Sequence, residues 1–170
     1  MAERTGLVTF GGNPMTLVGN EIKVGDKAPD FDVVGNDLKP VKGSSFDGKV
    51  RILSAVASLD TSTCDVETRR FNQEAGSLGD VTILTISMDL PFTQKRWCGA
   101  AGIDKVVTLS DHVSASFGKA YGILMKEIRI LARAVFVVDR DGIVRYMQLL
   151  EEVGNEPDYE AALKAAKELL

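Results

Sequence analysis

The sequence predicts an α/β fold, with a central mixed β-sheet between helical layers. Three observations point there. Apolar, strand-like runs alternate with helix-patterned segments through the middle of the chain, as parallel strands joined by crossover helices require. The alternation closes on two strong apolar runs, AVFVVD and IVRYMQLL, around Asp139-Arg140-Asp141-Gly142, a hairpin signal. The chain has 170 residues, 45% hydrophobic and 26% charged, which suits one domain covering residues 1–170 with a sizeable core.

Each element can be justified in order. LVTFGGNPMTLVG sets two short apolar runs around Gly11-Gly12-Asn13-Pro14, a turn composition, and predicts a β-hairpin extension over residues 1–22. A turn-rich stretch from Val24 leads into VRILSAVA, a buried central strand. The segment SLDTSTCDVETRRFN then changes from capping residues to helical spacing, with Cys64, Thr68, Phe71, Ala75 and Leu78 on one face. Asp60, Thr61, Ser62 and Thr63 all qualify as the N-cap. DVTILTISMD is a second buried strand, and PFTQKRWCGAAG a short helix from Pro91 to Gly99 or Gly102. KVVTLSD reads as a short strand and HVSASFGKAYG as a helix or irregular turn. In the tail, Pro157 marks a helix start, with Tyr159, Leu163, Ala166 and Leu170 on its apolar face.

Charge and composition narrow the function classes. A formal net charge of −4 with scattered Lys and Arg gives no global attraction to nucleic acid or to acidic membranes. No apolar run approaches the roughly 18 residues of a membrane helix, and MAERTGLVTFGG lacks the marks of a secretory signal, so a cytoplasmic location is expected. In that compartment two cysteines point to redox activity more than to a permanent staple, although two unrelated buried thiols would give the same count.

Cys64 sits where a helix begins, and there unpaired backbone N–H groups and the positive end of the macrodipole favour a thiolate. The competing reading is a small buried hydrophobe. Cys98 is too far along the chain for a C-x-x-C loop, and with His112 as the single histidine neither a zinc site nor an imidazole-activated thiol is supported. No metal or other cofactor is expected. Bringing a cysteine from a pKa of about 8.5 to about 6 requires about 3.4 kcal/mol. A helix terminus supplies about 0.3–2 kcal/mol of this, so a hydroxyl and a cation must add the rest. Thr61 is the best local hydroxyl. Arg133, at the mouth of AVFVVD, is a cation that costs free energy unless it meets an anion, or else a strand-end arginine reaching water; Arg69 and Arg70 are its rivals. Trp97 and Phe92 read as packing residues, and the apolar MDLPF as a lining for a substrate entrance.

These residues together resemble a known family, the bacterial thiol peroxidases or atypical 2-Cys peroxiredoxins. The resemblance spans nearly the whole chain through GNPMTLVG, VGDKAPDF, SLDTSTCDVETRRFN, SMDLPFTQKRWC, TLSD, LARAVFVVD and NEPDYEAAL, in that order. It implies a thioredoxin-like fold with an N-terminal hairpin, Cys64 as peroxidatic cysteine, Cys98 as resolving cysteine, and Thr61 and Arg133 as the groups that organise the peroxide. It further implies reduction of hydrogen peroxide and alkyl hydroperoxides through a Cys64 sulfenic acid, an intrachain Cys64–Cys98 disulfide recycled by thioredoxin, and a homodimer. The chain departs from the family pattern P-x-x-x-T-x-x-C by carrying Ala57 in place of proline, and Ser62 where many members have proline; a less preorganised loop is the expected consequence. The alternative reading is a redox-responsive binding protein that uses the same disulfide as a switch.

Overall fold

The computed structural model describes residues 1–170. Its strands are β1 (Glu3–Phe10), β2 (Asn13–Val18), β3 (Asp32–Val34), β4 (Pro40–Lys42), β5 (Val50–Ala55), β6 (Val81–Ser87), β7 (Val107–Ser110), β8 (Leu124–Met125), β9 (Ile130–Leu131), β10 (Ala134–Val138) and β11 (Val144–Leu149). The helices are α1 (Ser62–Ala75), α2 (Pro91–Ala101), α3 (Ser116–Ala120) and α4 (Tyr159–Lys167). Seven strands form the central sheet in the order β11-β10-β5-β6-β7-β3-β4. The β5, β6 and β7 strands run parallel, and the remaining pairings are antiparallel, so the sheet is mixed.

Burial follows from the sequence pattern. All six residues of β5 are buried, Arg51 and Ser54 among them, as expected for a central strand covered on both faces. Ile52, Ile83, Val135 and Val137 pack with Phe71 of α1 and Leu163 of α4 on one face. Leu53, Leu84 and Phe136 pack on the other with Leu17, Phe117, Tyr121 and Met125. Tyr121 packs edge-on against Phe136 at 5.1 Å between ring centroids, within the range in which such aromatic pairs attract.

The N-terminal hairpin is present but is not a free appendage. Its β2 strand pairs with β8, and β8 with β9, giving a second sheet of order β1-β2-β8-β9. Gly19 makes this possible: with φ at +117°, a Cβ there would lie 2.0 Å from the Lys119 carbonyl oxygen. The C-terminal helix starts just after Pro157, as expected, with Asp158 as its N-cap, its Oδ1 accepting from Ala161 N at 3.0 Å; one detail differs, since Leu170 lies beyond the docked turn, 49% exposed.

Candidate active site

The carboxyl ends of parallel strands open onto loops, and there the β5–α1 connection places Cys64. Thr61 is the N-cap of α1 with extended backbone, and Asp65 N donates to its carbonyl at 2.9 Å. Cys64 is therefore the third helical residue. Its side chain is fully enclosed, at 0% exposure, and Arg133 Nη2 donates to its Sγ at 3.1 Å. The same guanidinium donates from Nε to the Val153 carbonyl at 2.7 Å and pairs through Nη1 with Glu67. Arg133 is itself 1% exposed, so of its two sequence readings the structure selects the buried cation that meets an anion.

Glu67 was not among the residues singled out by sequence. It lies on the turn after Cys64, on the same helix face, and is fully buried; the i, i+3 relation to Cys64 was the available signal. Ser54 Oγ donates to its Oε1 at 2.8 Å. Burial pushes the Glu67 carboxyl above its ordinary value, opposed by the Arg133 charge and the Ser54 hydrogen bond. Burial also acts to lower the Arg133 pKa, but the charges of Glu67 and Cys64 outweigh it and hold the guanidinium above its ordinary value. Arg133 accordingly stays a cation beside the sulfur.

Thr61 Oγ1 does not meet the Cys64 sulfur. It donates to the Ser58 carbonyl at 2.9 Å, which commits its hydrogen and leaves its lone pairs to accept from a hydroxyl in the pocket. Asp89, a second residue that the sequence reading passed over, anchors the loop carrying Thr61. Its carboxylate accepts from Ser58 Oγ at 2.7 Å, Leu59 N at 2.8 Å and Ser87 Oγ at 2.8 Å. The loop lacks the family proline, and these bonds at Ser58 and Leu59 are what hold it.

Thr61, Arg133, Ala57 and Val153 line an open pocket of 330 Å3, with Phe10 and Gly11 of the hairpin at its outer wall. None of the MDLPF residues lines it, contrary to the sequence expectation. Phe92 is 66% exposed rather than packed, whereas Trp97 is buried. A larger cavity of 740 Å3 surrounds Arg51 at the opposite end of β5 and contains no cysteine.

Cys98 lies in the last turn of α2, half-buried, with its Sγ 3.6 Å from Thr108 Oγ1, which in turn donates to Asn36. Both thiols are free. The helices that carry them are tied by the residues next door: Trp97 Nε1 donates to Asp65 Oδ1 at 2.9 Å, and Arg69, paired with Asp65, lies over the Trp97 ring at 5.6 Å. Arg69 and Arg70 thus face outward and are engaged elsewhere, Arg70 with Glu74 and the Tyr159 ring. His112 bonds to Ser110 and not to either sulfur.

A thiol at the first turn of a helix after a parallel strand, with a buried arginine on the sulfur, is the arrangement of a thioredoxin-like thiol protein. Residues 23–163 match the family model described as Redoxin, and the chain belongs to that family. Within it, the chain belongs to the thiol peroxidases. It is 56% identical over 163 residues to the thiol peroxidases of Halalkalibacterium halodurans and Bacillus subtilis, covering 96% of this chain and 98% of each relative. The crystal structure of a peroxiredoxin-like protein from Aquifex aeolicus superposes with a TM-score of 0.91 at 40% identity, over 98% of this chain and 99% of that one.

Proposed function

We infer that the protein is a thiol-dependent peroxidase that reduces hydrogen peroxide and alkyl hydroperoxides, with Cys64 as its attacking thiolate. The observation that carries this reading is the Arg133 N–H aimed at the Cys64 sulfur, with Arg133 itself lining a small pocket beside Thr61. The Cys64 sulfur attacks one peroxide oxygen; the S–O bond forms as the O–O bond breaks, and the departing oxygen leaves as water or an alcohol once protonated. Arg133 lies where negative charge spreads over the reacting sulfur and oxygens, and Thr61, its hydrogen committed to Ser58, accepts from the peroxide hydroxyl and orients it. Cys64 ends as a sulfenic acid.

Cys98 then attacks the sulfenic sulfur, expelling water and forming an intrachain disulfide. Two electrons from an external dithiol restore both thiols, and thioredoxin is the reductant proposed. No helix is long and apolar enough to cross a membrane, and the cycle suits the cytoplasm, where reducing systems supply such dithiols. The protein is proposed to act as a homodimer, for which the exposed apolar surface at Leu90, Phe92 and Val113 is the support.

Stopped-flow Trp97 fluorescence of the reduced protein mixed with peroxide tests the reading, with mass spectrometry of the end-points. A fast change that disappears in Cys64→Ser, and a disulfide that disappears in Cys98→Ser, are expected. Retention of both free thiols in the parent protein after peroxide would refute it.

A further inference from the structure

We propose that Glu152 is a positioning residue which latches the N-terminal hairpin over the peroxide pocket, and that the latched Phe10 makes this hairpin the wall that recognises the organic part of a bulky hydroperoxide. The inference rests on the peroxidase reading above. It begins with an unusual set of bonds. Glu152 Oε1 accepts from Gly12 N at 2.7 Å and from Thr9 Oγ1 at 3.1 Å, while Oε2 accepts from Gly154 N at 2.9 Å and Gly11 N at 3.3 Å. One carboxylate thus gathers the hairpin tip and the loop after β11. Backbone bonds run alongside, Thr9 N to the Glu151 carbonyl at 2.7 Å and Val153 N to the Thr9 carbonyl at 3.0 Å.

The latch borders the reaction site on two sides. Phe10, Gly11, Glu152, Val153 and Gly154 line the same pocket as Thr61 and Arg133. The Val153 carbonyl accepts from Arg133 Nε, and the Gly154 carbonyl accepts from Thr63 Oγ1 in the first turn of α1 at 2.9 Å. A displaced tip would therefore remove the outer wall and loosen the segment that orients Arg133. Phe10 is the large apolar group of that wall. Hydrogen peroxide has no organic part to meet it, whereas an aryl or alkyl hydroperoxide does, so the wall acts on the choice between substrates.

Four donors converge on Glu152, and only a carboxylate can accept from all of them. A carboxamide presents N–H groups to one pair of donors, so Glu152→Gln breaks the latch although its shape is conserved. Backbone N–H bonds from Gly154 and Gly12 also hold the Glu152 carboxyl below its ordinary range, consistent with an engaged anion.

The test measures the second-order rate of Cys64 oxidation, in the full chain, by cumene hydroperoxide and by hydrogen peroxide, and takes their ratio. Glu152→Ala and Glu152→Gln are expected to lower that ratio by about fivefold, with loss of amide-exchange protection at Gly11 and Gly12. Phe10→Ala keeps every latch bond and is expected to lower the ratio by a similar factor with protection intact, which carries the test should a latch variant lose its fold. A general loss of stability would depress both rates together and leave the ratio in place. An unchanged ratio in Phe10→Ala, or protected Gly11 and Gly12 amides in Glu152→Ala, would overturn the proposal. If neither peroxide oxidises Cys64 in the parent protein, the peroxidase reading falls first, and this one with it.

Discussion

Arg133 reaches three different partners with one guanidinium: the Cys64 sulfur, the Glu67 carboxylate and the Val153 carbonyl. A planar fork holds its donors in a fixed spread, whereas the three donors of an ammonium all radiate from one nitrogen. Glu67 compensates the charge and fixes the fork, at the cost of desolvating its own carboxylate. Because burial raises the Glu67 pKa in the folded state, the folded protein retains a proton that the unfolded chain has released above about 4.5. The contribution to stability is complete below that value and declines as pH rises through the folded pKa, then levels off. Urea unfolding of the parent and of Glu67→Gln across pH 4–8 checks this. The parent is expected to lose stability relative to the variant as pH rises through that window, and the variant, which leaves one buried donor facing an amide N–H, to be less stable by about 1–3 kcal/mol at low pH. A pH-independent difference would contradict the assignment. Sequence alone exposed Cys64, Thr61 and Arg133 because each carries a positional or chemical oddity: a thiol at a helix start, a hydroxyl in its cap, a charge at an apolar strand. Glu67 has no such mark, since a glutamate on a charged helix reads as surface until the fold turns that face inward.

At the scale of elements, the cysteines belong to helices clasped by Trp97 to Asp65, with Arg69 lying over the Trp97 ring and donating to the Ala101 carbonyl at 3.4 Å. A disulfide needs Cα atoms about 4.4–6.8 Å apart, and local opening of helices otherwise fixed by their packing and by this clasp is the expected route to it. Amide exchange is expected to quicken around Cys64 or Cys98 in the oxidised protein. Removing the clasp with Asp65→Ala deletes a charge-assisted hydrogen bond, so the opened form gains population and the sulfenic acid should be converted to disulfide about tenfold faster. Quenched-flow mass spectrometry measures that lifetime, and an unaltered one would mean the clasp remains closed during resolution. The elements themselves were legible in unequal measure. Helical spacing and apolar runs gave α1, α2, α4 and the parallel strands, because buried faces impose a period. The two-residue strands β8 and β9 have no period to read, so the second sheet appeared only once β2 was seen to pair with β8. Glu152 was hidden for a related reason: its partners in the hairpin, the Gly11 and Gly12 N–H groups and the Thr9 hydroxyl, lie more than a hundred residues away, which no local pattern encodes.

Across the whole molecule, the same Asp89 that anchors the active-site loop also fixes an apolar edge beside it. The Asp89 carbonyl accepts from Ser110 Oγ, Ser110 meets His112, and the His112 carbonyl accepts from Arg129 at 3.3 Å. Leu90 and Phe92 follow Asp89, Val113 follows His112 and Ile128 precedes Arg129, and all four side chains are substantially exposed. Exposed apolar side chains of this kind suit a contact surface, and a second copy of the chain is the occupant consistent with the proposed homodimer. A two-fold interface through Leu90 and Phe92 would lie beside Asp89, which holds the Ser58–Leu59 segment. Phe92→Asp places a charge at its centre, and desolvating that charge on both copies opposes association by several kcal/mol. Size-exclusion chromatography with light scattering is expected to give twice the chain mass for the parent and a single chain mass for Phe92→Asp. Retention of the dimer in that variant would move the interface to another face, while a monomeric parent would remove the dimer from the proposal. If association also steadies the Ser58–Leu59 segment, the monomeric variant should oxidise more slowly at Cys64 even though Phe92 lies outside the pocket, coupling the quaternary state to the positioning of Thr61.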